Sequence, residues 1–240
     1  MKRTIHFIFL LSLTLIGKNG ISQIENQSEK PTFLAKRDSV ILEKEFGSIY
    51  ITKDTSSIIY SWIKSNYENI EKSYLKGSIK EIVKHSNIQL KHFMLSDLHK
   101  EWSPIKIFNN QLTLYCPTDW MNNYTFIITD SAIYNSSSDA TVQVITNYTK
   151  TNNLHTFNLL DYHGNKTKLT IEETNDSLGV SIWIIFNNQG DIISKSLKVK
   201  STKVKKFPFL VFDCYYSKCD FASPNDYFQK INFNAIKNVR

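Results

Sequence analysis

Residues 178–200 read LGVSIWIIFNNQGDIISKSLKVK, and their patterning decides the fold. Two runs, Leu178–Phe186 and Ile192–Lys200, flank the turn-forming stretch Asn187-Asn188-Gln189-Gly190-Asp191. A link this short favours antiparallel neighbours. Val180, Ile182, Ile184 and Phe186 fall on one face of the first run, and Trp183 and Ile185 on the other. A strand apolar on both sides needs cover on both faces. Phe207, Phe209 and Val211 oppose Leu210 and Phe212 in the same way.

Working outward, the same grammar recurs. Ile105–Phe108 and Gln111–Cys116 flank Asn109-Asn110, a favourable two-residue hairpin turn. Strands are expected at Tyr124–Ile133, Ala140–Tyr148, Leu154–Tyr162, Lys166–Glu173 and Val204–Phe212, with turns at His163-Gly164-Asn165 and Thr174-Asn175-Asp176. The expected class is therefore mainly β, an antiparallel meander of about eight to nine strands. Its edges must be hidden, either in a barrel or in a sandwich of two sheets. One amphipathic α-helix precedes it. Ile58, Ile59, Trp62, Ile63, Tyr67, Ile70 and Tyr74 recur at helical steps after a Ser56 or Ser57 cap, predicting a helix over about Ser57 to Lys76 that ends at Gly77. Ile79, Ile82 and Val83 could extend it, whereas Ile88, Leu90, His92 and Met94 alternate like a strand.

The N-terminus reads as a cleavable export signal. Lys2 and Arg3 precede an apolar core from Ile5 to Ile16, about 18 Å of helix against a hydrocarbon layer of about 30 Å. Gly20-Ile21-Ser22 provides small residues for cleavage before Gln23. The reading assigns residues 1–22 to a signal peptide and 23–35 to a flexible leader. A helix-containing segment, 36–104, is expected to pack on the β region, 105–240, as one domain. No cysteine follows the apolar core to accept a lipid, so no stable membrane anchor is expected. The destination is secreted or periplasmic.

Charge narrows the partners. The chain carries 29 basic and 22 acidic residues, and removing Lys2, Arg3 and Lys18 leaves 26 against 22. That balance is weak for nucleic-acid binding, so none is expected. In an oxidising compartment Cys214 and Cys219 are the expected disulfide, with Cys116 bonded to one of them as the alternative, and the odd thiol is expected to be buried.

No specific catalytic motif is present: neither a His-Glu-x-x-His helix, nor a Gly-x-Ser-x-Gly elbow, nor a phosphate loop, nor a dinucleotide fingerprint. His85, His92 and His99 recur every seven residues, about 10.5 Å apart on a helix, too far for one metal, and no metal or cofactor is expected. Asp161-Tyr162-His163 offers a carboxylate and an imidazole, but at a turn that prefers such residues anyway. Adjacent strand residues such as Glu172 and Glu173 point to opposite faces and form no dyad.

Trp102, Asp119, Trp120 and Tyr124, with Tyr134 near them, bracket the first hairpin and form the candidate ligand-binding mouth. Their rings could stack on a sugar or an apolar body. Lys195, Lys198, Lys200, Lys203, Lys205 and Lys206 form the one basic run; the expectation is a solvated edge strand, with an anionic partner as the alternative. Together these observations suggest an exported, non-enzymatic binding or interaction protein. Its partner would be a small apolar or glycan ligand, or an envelope protein. The alternative is a secreted hydrolase using Asp119, Asp161 or His163.

Overall fold

The turn at Asn109-Asn110 holds both residues at positive φ, 47° and 59°, the conformation that a two-residue hairpin needs and that asparagine tolerates. It joins β3 (Glu101–Phe108) to β4 (Gln111–Pro117). The computed structural model describes residues 37–44, 47–57, 72–117, 125–136, 140–175, 177–214, 227–233 and 236, all within one compact unit. Ahead of the hairpin lie β1 (Ser39–Lys44), β2 (Gly47–Thr52) and α1 (Lys72–His85). After it come β5 (Phe126–Ile128), β6 (Ala132–Asn135), β7 (Thr141–Thr151), β8 (Leu154–Leu160), β9 (Lys166–Asn175), β10 (Val180–Phe186), β11 (Ile192–Lys200) and β12 (Phe209–Cys214).

Eight strands close into an antiparallel barrel in the order β3-β11-β10-β9-β8-β7-β6-β5, with β5 returning to β3. Closure and departure share one strand. The start of β3 pairs with β5, Glu101 opposite Ile127 and Trp102 opposite Phe126. Its second half, Ile105 to Phe108, pairs instead with β4. From there a wing runs outward through β12, β2 and β1, and β12 lies parallel to β4. The barrel alternative is therefore the correct one of the two architectures.

Both faces of β10 are covered, as the apolar pattern requires. Trp183 joins Trp102, Ile128, Ile133, Ile145, Phe157, Leu159, Leu169 and Ile171 from the neighbouring strands in the barrel interior. Val180 and Ile182 join Ile105, Leu197, Val199, Phe209 and Val211 in a second core between barrel and wing. The opposite face of β12 packs Leu210 and Phe212 with Ile49 and Phe108. Helix α1 lays Leu75 and Ile82 against Val142, Val144 and Leu160.

Four local expectations need correction. Gly77 does not end the helix: α1 runs through it because Ile79 and Ile82 still have apolar partners. It stops at Asn87, whose φ of 50° and whose bonds Asn87 N–H to Lys84 O and Ile88 N–H to Val83 O form a left-handed cap. The part of the predicted helix over 58–71 lies outside the described residues. Residues 88–95 form no strand; Ile88 and Leu90 pack with α1 while Phe93 and Leu95 cover the barrel interior. Tyr124–Ile133 is broken after β5, because Thr129 Oγ1 accepts the Ala132 N–H at 2.9 Å and turns the chain. Ser201–Lys206 is a 3-10 turn rather than the start of the last strand, with Ser201 and Val204, three apart, buried on one side.

Candidate ligand-binding site

Alternation along β11 sets the site. Leu197 and Val199 face the core between barrel and wing. Lys198, between them, must therefore point into the barrel. It pairs across the sheet with Ser181 on β10 and Pro104 on β3, so β11 is an internal strand with neighbours on both sides. The solvated-edge expectation fails at this residue, because the face opposite the apolar one is the barrel interior and not solvent. Lys198 is 5% exposed. Its Nζ lies 3.5 Å from the centre of the Phe126 ring and 5.1 Å from that of Trp183. Among the described residues no carboxylate pairs with it. Burial lowers the ammonium from its usual 10.5 to about 7.

A cavity of about 560 Å³ opens beside this amine, within the usual size of small-molecule sites. It exists because β3 and β11 part company. They pair from Trp102–Lys200 to Ile105–Leu197. Beyond that, Ile107 bridges to Gln229 of the C-terminal segment, and the Gln229 side chain accepts the Asn110 N–H at 2.8 Å. The segment holds the fork open. Phe126, Trp183, Ile185, Phe228, Ile231 and Phe233 supply apolar walls, and Lys106, Lys195, Lys198 and Lys230 supply positive charge. No acidic residue lines the cavity among the described residues. Lys106 sits over Phe228 at 4.5 Å and Lys195 over Phe233 at 4.3 Å, so aromatic faces neighbour both amines. Burial lowers Lys106 as well.

Two further polar groups lie beside Lys198. Trp183 Nε1 and Ser181 Oγ are buried, and neither has a hydrogen-bond partner among the described residues. Each carries a desolvation cost. A buried cation beside an apolar cavity suits a ligand with an acceptor-rich or anionic end and a hydrocarbon or aromatic body.

A second polar group of residues gathers elsewhere on the barrel strands. His155 is fully buried, its Nδ1 hydrogen-bonded to Tyr148 Oη at 2.9 Å and its Nε2 without a partner among the described residues. Burial, more than any neighbouring charge, lowers its pKa. Lys200 and Glu173 form an ion pair at 3.0 Å, and His99 Nε2 is hydrogen-bonded to Ser201 Oγ at 3.1 Å. Burial also lowers His99.

The residues singled out from sequence fare differently. Trp102 is fully buried in the barrel; its Nε1 donates to the His99 carbonyl at 2.7 Å, and its ring meets Trp183 edge-on at 5.7 Å. It supports Trp183 from behind the cavity. Tyr134 is buried under α1. Asp119, Trp120, Tyr124 and Cys219 lie outside the described residues. Cys116 is buried, and burial raises its thiol pKa strongly, which opposes a nucleophilic role. His85 stacks on Tyr162, His92 pairs with Asp130 and His99 with Ser201, so the three do not converge. The Asp161 carboxylate accepts from the backbone N–H groups of His163 and Asn165 and from Asn165 Nδ2, which is turn chemistry. Asp161 and His163 also border a cavity of about 530 Å³ beside α1. Lys198 was visible as a residue but not as a site: only the two-sided cover of the neighbouring strands signals that its face is internal.

No protein-family model matches the chain, and neither a curated protein nor a solved structure matches it. Among the described residues no helix is long and apolar enough to cross a membrane.

Proposed function

We propose that this chain is an exported binding protein whose fork cavity accepts a small amphipathic ligand, its apolar body against the aromatic walls and its anionic end at Lys198. One observation carries the reading: a buried amine with no carboxylate partner among the described residues, beside a cavity lined by lysines and aromatic rings. An isolated buried cation costs several kcal/mol and is retained where something compensates it. An anionic ligand end would do so. The apolar walls select against small hydrophilic anions, which would leave the rings' desolvation unrewarded. The N-terminal signal pattern supports export, which would put the ligand outside the cytoplasm.

The test compares two fluorescent probes of similar aromatic body, anionic anilinonaphthalene sulfonate and neutral N-phenylnaphthylamine. Titration of the mature chain should show saturable binding of both, and Lys198→Gln should weaken the anionic probe by about tenfold or more, equal to about 1.4 kcal/mol, while sparing the neutral one. Equal binding of the anionic probe by both proteins, or no saturable binding at all, would overturn the reading.

A further inference from the structure

A primary amine attacks a carbonyl only in its neutral form, and only where an electrophile can reach it. Lys198 meets both requirements. Its Nζ lies over Phe126 and Trp183, and the residue lines the open cavity. No carboxylate among the described residues holds it charged. The charged groups that share the cavity are Lys106 of β3, Lys195 of β11 and Lys230 of the C-terminal segment, all of which disfavour a further positive charge. The carboxylate of Glu173, two strands away along the same cross-strand row, is paired with Lys200. By contrast, the amines of Lys150 and Lys206 are engaged with Asp97 and with the Ser177 carbonyl.

We propose that Lys198 captures apolar aldehydes that enter the fork cavity, condensing with them to an imine. The proposal rests on the cavity being a ligand site and adds a covalent ligand class to it. In the step, the Nζ lone pair forms a C–N bond to the carbonyl carbon while the π pair moves to oxygen. One amine proton passes to that oxygen, giving a carbinolamine. The second amine proton leaves with the hydroxyl as water, and the C=N bond forms. One water is released, and nothing is oxidised or reduced. The aromatic walls hold the aldehyde body near the amine, so encounter becomes intramolecular. Burial makes the amine nucleophilic near neutral pH: with its pKa at about 7, about half is uncharged at pH 7, against roughly one part in three thousand for an ordinary lysine.

The experiment uses trans-cinnamaldehyde on the mature chain at pH 7, with cyanoborohydride to trap the imine as a stable secondary amine, followed by peptide mapping. Lys198 should carry at least about tenfold more adduct than any other lysine, and its labelling rate should reach half its maximum near pH 7. The adduct should also block anilinonaphthalene sulfonate. Lys198→Arg removes the primary amine and should lose the dominant adduct; the wild-type map stands alone should that variant fold poorly. Labelling spread evenly over surface lysines, with the probe still bound, overturns the covalent proposal and leaves the binding reading intact. Failure of both the probe and the selective adduct overturns both.

Discussion

Replacing Lys198 with methionine removes a buried cation and keeps an unbranched apolar stem of similar length. The displacement of its pKa from 10.5 to about 7 corresponds to about 5 kcal/mol of preference for the neutral form in the folded chain. At pH 6, where both states hold the proton, Lys198→Met should therefore stabilise the ligand-free protein by up to about 5 kcal/mol. Between pH 7 and 10.5 the unfolded chain keeps a proton that the folded chain has released. Wild-type stability consequently rises with pH through this window, by up to about 1.4 kcal/mol per pH unit relative to the variant. The advantage of methionine should close by about pH 10.5. Urea unfolding of both proteins at pH 6, 8 and 10 reads this directly. A gap that does not change with pH, or a methionine variant less stable at every pH, would refute the reasoning.

The remaining predictions concern other parts of the chain. Fully buried His155 has its pKa lowered below 6.5 chiefly by burial, so as pH falls through 6.5 the unfolded chain takes up a proton that the folded chain resists; wild type should lose stability between pH 7 and pH 5 in urea melts, and His155→Gln should lose less. Gly179 has φ +69°, and a Cβ there would lie 2.7 Å from Lys203 Cγ; Gly179→Ala should cost about 1 kcal/mol or more, measured as a lower urea midpoint at unchanged slope. Non-reducing peptide mapping of the exported protein should recover Cys214 joined to Cys219, with buried Cys116 unreactive to thiol reagents until the chain unfolds; three free thiols would contradict the pairing.

Much of the barrel was legible because its signals are local. The paired asparagines at 109 and 110 need positive φ and adopt it, and Asn187 and Asp191 bond to each other across their turn as such residues do. The two-sided apolar pattern of β10 required cover on both faces, which the barrel interior and the wing supply. Closure was not legible. It depends on one strand, β3, dividing its edge between β5 and β4, and no residue pattern within β3 announces that division. The 3-10 turn after β11 was hidden because Val204 and Phe207 also fit the end of a strand-like apolar run.

The site was the least legible part for the same reason. An alternating Lys-Ser-Leu-Lys-Val-Lys run reads as a wet face and a dry face, and the wet face was assigned to solvent. In the fold that face turns into a barrel whose other strands contribute Trp102, Phe157, Ile171 and Trp183. The fork that opens the cavity depends on Gln229 meeting Ile107, a contact across more than a hundred residues that no local pattern encodes. Of the aromatic residues singled out around the first hairpin, Trp102 packs edge-on against Trp183, which lines the cavity.

The central claim is that Lys198 is an internal amine waiting for an anion. Heteronuclear NMR of lysine ammonium and ε-methylene groups, with Lys198 assigned by comparison with Lys198→Gln, measures its titration in place. In the ligand-free protein the signal should titrate at about 7. Saturation with anilinonaphthalene sulfonate should raise its proton affinity by about tenfold or more, because a neighbouring negative charge favours the ammonium. A free-protein titration near 10.5, or a value unmoved by saturating anionic probe, would contradict the account.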